Sequence, residues 1–245
     1  MKKEKKKNVF MEKYGGIIKL VVAFIIFFFS SILITIPLDL LKIDYVHDEN
    51  VYYILTVVAN VFRAVLLAIL YRKDLVRDFK VYKESFWKSN DIAVKLWFLG
   101  MVVMLISNLL IIFLTPAKMV NNEQEIRKMI TTIPMLSLIV VGITAPLSEE
   151  LLFRRGFKNA IKEPLAFILI SGIVFGAMHV VTSYDSLFDL LYIIPYSALG
   201  IAFATTLQKT DSVFPSMVVH SIHNTGITII NIIRIIGMII WKESM

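Results

Sequence analysis

The chain has 245 residues, 57% of them hydrophobic, and a mean hydropathy of +0.73. An ordinary soluble domain is about 45–50% apolar, so the surplus calls for a lipid solvent and not merely a larger core. The net charge of +7 is gathered in blocks beside apolar runs, MKKEKKKNVFMEK at the start and YRKDLVRDFKVYKESFWK at 71–88. Such blocks read as cytoplasmic loops, with no sign of a nucleic-acid module. The absence of cysteine excludes disulfides, thiolate metal sites and a cysteine nucleophile.

Apolar runs of about 20 residues mark the expected spans. In chain order they lie near 15–38, 51–71 and 92–114, then from Ile133-Pro134 through Glu149-Glu150, then near 164–183, 187–207 and 213–241. The fold class expected is all-α, a polytopic transmembrane bundle of about seven helices, with six to eight as the range. The first run is too long for a signal-peptide core and reads as an uncleaved span. Lysine and arginine bias puts the N-terminus and 71–88 in the cytoplasm and the acidic 39–50 loop outside, with 115–133. It returns the basic 154–163 stretch to the cytoplasm, where it is expected to project from the bilayer. A multi-pass protein of the plasma membrane, with the lipid bilayer as its first partner, is the expectation. Residues 1–125 carry the first three spans, and 126–240 carry the residues that matter for chemistry.

Ionisable side chains at membrane depth are expensive and are functional candidates by default. Here they form three clusters. In TAPLSEELLFRRGF, Glu150 and Arg154 are four apart and can pair on one helix face. Glu149 lies about 100° around the helix, without such a partner, and is the carboxylate free for chemistry. In VFGAMHVV, His179 sits inside an apolar span. Glu149 and His179 are each 15 residues from Pro164, so an antiparallel hairpin turning there brings them level. In FPSMVVHSIHNTG, His220 and Asn224 share a face, and His223 lies about 60° away, as a supporting or spare polar group. Singly, each histidine is more readily a hydrogen-bonded core residue than a catalyst.

Together the groups suit amide hydrolysis. A desolvated glutamate beside an imidazole can take a proton from water, while a second imidazole and an amide donate to an oxyanion. The same groups, Glu149, His179, His220 and Asn224, would also suit zinc or another divalent metal with an open position for water. The HExxH spacing of soluble zinc proteases is absent. A metal-independent mechanism and a metal-dependent one both stay open at this point.

The three clusters resemble, in order, the EExxxR, FxxxH and HxxxN motifs of the CPBP family, the CAAX-protease and bacteriocin-processing (Abi-like) membrane proteases. They stand here as Glu149-Glu150 with Arg154, Phe175 with His179, and His220 with Asn224, and the resemblance covers about residues 130–235. It implies a catalytic core opening toward the cytoplasm, with Glu149 activating water, assisted by His179. His220 and Asn224 then stabilise the oxyanion or complete a metal site, while Glu150, Arg154 and Phe175 support. The implied activity is an intramembrane endopeptidase acting on peptide or membrane-protein substrates, in peptide maturation or bacteriocin immunity. The competing readings are a non-catalytic immunity or scaffold protein binding a partner in the same cavity, and a proton-coupled transporter. The transporter reading lacks paired broken helices in two matching halves.

Overall fold

The computed structural model describes residues 2–116, 121–181 and 184–243. Met1, 117–120 of the expected external segment, and 182–183 at the end of the expected fifth span lie outside the described residues. The described residues form helices and no strands. We number them α1 (Lys2–Phe29), α2 (Ile32–Leu40), α3 (Glu49–Leu70), α4 (Arg72–Glu84) and α5 (Phe86–Leu114). There follow α6 (Asn121–Thr132), the broken helix α7 (Pro134–Ala160), α8 (Pro164–Met178), α9 (Ile193–Thr210) and α10 (Phe214–Glu243). Four helices are long and apolar enough to cross a membrane, and a fifth span forms if α1 and α2, bent by 40° at Ser30-Ser31, are taken together. The chain is thus a helical membrane bundle. The expected count of about seven spans is not confirmed: α8, apolar but only 15 residues long, and the 30-residue α10 are not among the helices so identified within the described residues.

Local chemistry sets the boundaries. The Asp48 carboxylate accepts from the backbone N–H groups of Asn50 and Val51 and starts α3. Glu163 caps α8 in the same way, with Pro164 at the first helical position, where its missing N–H costs nothing. Ser186 and Asp189 form a capping box before α9. Helix α7 is not regular. Two π-helical stretches, Val140–Thr144 and Glu150–Gly156, interrupt it on either side of Glu149. Such insertions are rare and are found most often at functional sites.

The main core joins both parts of the chain: Ala23 of α1, Leu67 of α3, Leu151, Leu152 and Phe153 of α7, Phe175 of α8 and Leu207 of α9. The basic stretch after Glu150 is packed into the bundle rather than left free. Arg154 and Arg155 are fully buried, and Lys158 is half-buried against Gln208. Their charges are spent on partners inside the bundle. Helix α4 is likewise no free loop: Asp74 pairs with Lys19 of α1 and accepts from Asn159 of α7. Burial pushes the Asp74 carboxyl up, but Lys19 and Asn159 outweigh it and hold it below the usual carboxylate value. A depressed carboxylate stabilises the fold above the ordinary carboxylate range and loses that effect as pH falls through its lowered value.

Helices α8 and α9 approach so closely that side chains are excluded between them. A Cβ on Gly176 would stand 2.7 Å from the Ile193 carbonyl oxygen and the Ser197 nitrogen, and one on Gly200 would stand 2.6 Å from the Gly172 carbonyl oxygen. Small residues that let backbones meet are the main packing device between helices in lipid. Gly176→Val is therefore expected to lower stability by about 1–3 kcal/mol or more. Gly226, whose added Cβ would meet nothing within 4 Å, is the control. Thermal unfolding in detergent should show Gly176→Val well below wild type and Gly226→Ala at or above it.

Candidate active site

The three motif clusters converge. Glu150 and Arg154 form the ion pair expected from their spacing, at 3.3 Å and with both side chains fully buried. The Arg154 guanidinium stacks 4.4 Å over the Phe175 ring and also reaches Ser171 of α8. The other side of Glu150 is met by α10: His220 Nδ1 lies 3.1 Å from Glu150 Oε1. Because Glu150 is ion-paired and ionised, Nδ1 carries the proton and donates. That leaves His220 Nε2 facing Glu149 Oε2 at 3.6 Å, beyond hydrogen-bond reach.

Both glutamates leave Oε2 without a hydrogen-bond partner among the described residues, so what sets Glu149 apart is its exposure. Its side chain is 15% exposed, toward a cavity. His179 caps the C-terminal end of α8 and donates from Nδ1 to the Phe175 carbonyl oxygen at 2.9 Å. A carbonyl only accepts, so the neutral ring offers its Nε2 lone pair. Tyr196 of α9 stacks on this imidazole at 4.7 Å, and Phe203 stacks on His220 at the same distance. Phe175 touches both rings, with centroids 4.5 Å from His179 and 6.0 Å from His220. Asn224 donates one N–H to the Val141 carbonyl oxygen at 3.1 Å, in the first π-helical stretch. His223 lines the cavity wall against Trp97.

Two connected chambers hold these groups. One of about 310 Å³ is walled by Glu149, His179 and Asn224 together with Phe27, Asn60 and Arg63 from the N-terminal helices. The other, about 590 Å³, takes in His179, His220 and Asn224 and runs past Met104, Asn108 and Ile112 of α5 to Glu123 and Arg127 of α6. The larger chamber is thus walled on one side by α6, and no residue of α4 lines either chamber. At the α4 end, Arg155 pairs with the fully buried Asp78, which also accepts from the Val213 N–H, and Ser212 donates to the Asp78 carbonyl oxygen. This network closes the bundle there.

The donor set was tested against a metal. Both imidazoles present an Nε2 lone pair, which suits zinc chemically. Among the described residues, however, no three His, Asp or Glu groups stand close enough to hold an ion.

Sequence reasoning missed Asp78, Arg63 and the aromatic rings of Tyr196 and Phe203. Arg63 was visible as a charge inside an apolar run. Asp78 sits among lysines and arginines in a stretch that reads as a loop, so nothing marked it as buried.

Comparison with known proteins finds a family match over the motif region. Residues 131–226 match the Rce1-like family, described as "Type II CAAX prenyl endopeptidase Rce1-like", in agreement with the resemblance of the motifs. The chain is 30% identical over 115 residues to "Putative membrane peptidase YdiL" of Bacillus subtilis (strain 168), covering 46% of this chain and 43% of that protein. It is 28% identical over 146 residues to "UPF0177 protein YxdF" of Lactococcus lactis subsp. lactis (strain IL1403), covering 57% of this chain and 78% of that protein. The chain therefore spans less than half the length of YdiL. No solved structure gives a significant match.

The Asp78–Arg155 pair makes its own prediction. Asp78→Asn leaves the buried Arg155 guanidinium uncompensated, which costs about 3–5 kcal/mol, whereas Arg155→Met alone still leaves Asp78 its pair with Arg77 at 2.8 Å. Asp78→Asn with Arg155→Met removes both charges and is expected to recover part of that loss. Yield of monodisperse protein and its unfolding midpoint measure both; equal loss in Asp78→Asn and the double variant would count against the pair.

Proposed function

From the match of residues 131–226 to the Rce1-like family, we propose that this integral membrane protein is a glutamate-dependent intramembrane endopeptidase. One observation carries the reading: the Glu149 carboxylate, 15% exposed and 3.6 Å from His220, lines the smaller chamber together with His179 and Asn224. A water there gives up a proton to Glu149, with the His179 Nε2 lone pair as second acceptor, and attacks the scissile carbonyl. His220, held through Nδ1 by Glu150, takes a proton at Nε2 from solvent in the cavity before the attack, donates it in a hydrogen bond to the oxyanion and keeps it through the cycle. The free N–H of Asn224 is the other donor to the oxyanion. Collapse of the tetrahedral intermediate passes the proton from Glu149 to the leaving amine. Peptides and membrane proteins are the substrates proposed.

The roles of the two glutamates separate experimentally. Glu149→Gln is expected to leave protein level unchanged and to abolish cleavage, read as loss of products in the peptidome of expressing cells. Glu150→Gln is expected to lower abundance as well, since Arg154 then lies buried and unpaired. Cleavage is expected to survive a chelator. Near-normal turnover by Glu149→Gln would overturn the assignment.

We further propose a plasma-membrane location with the N-terminus and α4 in the cytoplasm, supported by the lysine and arginine blocks. Since the chain has no cysteine, Asp48→Cys and Lys83→Cys can be labelled with an impermeant thiol reagent without background. In intact cells only Asp48→Cys should react. Reaction of Lys83→Cys instead would invert the topology and put the α6 end of the cavity in the cytoplasm.

A further inference from the structure

The smaller chamber contains a cation that the hydrolytic reading does not use. Arg63 of α3 points into it beside Glu149, His179 and Asn224. The other arginines buried in the bundle, Arg154 and Arg155, each hold a carboxylate. Arg63 holds none within 4.0 Å among the described residues. Its Nη1 donates to the Asn60 amide oxygen at 3.2 Å, and its guanidinium lies 4.8 Å over the Phe27 ring. Asn60 is itself oriented, because its Nδ2 donates to the Thr56 carbonyl oxygen at 2.8 Å. One edge of the guanidinium is thus fixed, and on the other edge Nε is buried without a partner.

That edge is the one with which arginine takes a carboxylate in a two-pronged grip. Much of the remaining wall is apolar: Phe28, Met129, Val140, Phe153 and Met178. A charge at membrane depth with a neutral partner and a bare edge is costly unless an anion joins it. At about 310 Å³ the chamber is at the lower end of small-ligand pockets, large enough for a short piece of peptide.

We propose that this chamber is a carboxylate-binding subsite, with Arg63 as its anchor, holding an anionic group of the substrate next to the bond attacked by the water that Glu149 activates. It rests on the peptidase reading for the identity of the ligand as a peptide. The carboxylate can be a peptide C-terminus or an acidic side chain, and the test separates them. Arg63 is a specificity residue; Asn60 positions it. The competing role for Arg63 is counter-ion to Glu149, whose charge it feels across the chamber. A counter-ion affects all substrates alike, whereas an anchor discriminates between them.

The test uses the full chain in lipid nanodiscs and three fluorescein-labelled hexapeptides of one apolar sequence. The first ends in a free carboxylate, the second in an amide, and the third in an amide with aspartate as last residue. Binding is read by fluorescence anisotropy, and hydrolysis by mass spectrometry in parallel. Wild type is expected to bind the free acid, the aspartate peptide or both about tenfold or more tightly than the neutral amide, the scale of one charge-assisted hydrogen bond. Whichever carboxylate gains identifies the source. In Arg63→Met the ratio should collapse toward one, and Arg63→Lys should keep part of it. Equal binding of the three peptides by wild type, no binding of any, or a ratio that survives Arg63→Met overturns the proposal. A binding preference without hydrolysis of any peptide would uphold the subsite and sink the peptidase reading.

Discussion

Buried charge is the constraint on which this bundle depends. Two adjacent arginines, Arg154 and Arg155, are almost wholly removed from solvent in a π-helical turn, and each must find a carboxylate. They find different ones. Arg155 ties Asp78 of α4 to the start of α10, through the Val213 N–H and Ser212. Arg154 holds Glu150, and Glu150 holds His220. Loss of either carboxylate would strand a cation where no water reaches it, so α4, α7 and α10 are fixed relative to one another by the same few groups that surround the candidate site. A regular α-helix places successive side chains about 100° apart. The wider π turn alters that progression, which is one way a helix can present neighbouring residues to different partners.

That arrangement also explains why two adjacent glutamates need not share a role. Glu150 is fully enclosed between Arg154 and His220. Glu149 has the imidazole only at 3.6 Å and is 15% exposed. Environment separates them, as it separates paired carboxylates generally when one is satisfied by protein and the other faces a wet cavity. The two histidines are governed the same way: each spends Nδ1 on a fixed acceptor, and each turns Nε2 away from that acceptor.

The sequence showed the helical class, the Glu150–Arg154 pair and the convergence of Glu149, His179, His220 and Asn224, because those follow from helix periodicity and from the cost of polarity in lipid. It showed less about what lies between them. The count of spans rests on apolar runs, and a run does not reveal that α8 is only 15 residues long. The basic stretch at 154–163 read as a loop because charge was counted without partners. Asp78, the partner of Arg155, is 77 residues away in sequence and surrounded by lysines and arginines. The π-helical stretches carry no composition signal at all.

The closed α4 end bears on access. The cavity runs instead along α5 and α10 to α6, whose Glu123 and Arg127 pair with each other at 2.8 Å on the cavity wall. Its lining changes along the way, from aromatic rings at His179 and His220 to Asn108, Thr228 and Asn231 farther out. Amides and hydroxyls along an otherwise apolar passage let water and peptide backbone enter without leaving donors or acceptors unpaired. A hydrolase within a membrane needs such a path for its water as much as for its substrate. In this fold a single passage can serve both, because the basic helix that reads as a loop is pinned over the opposite end by Asp78.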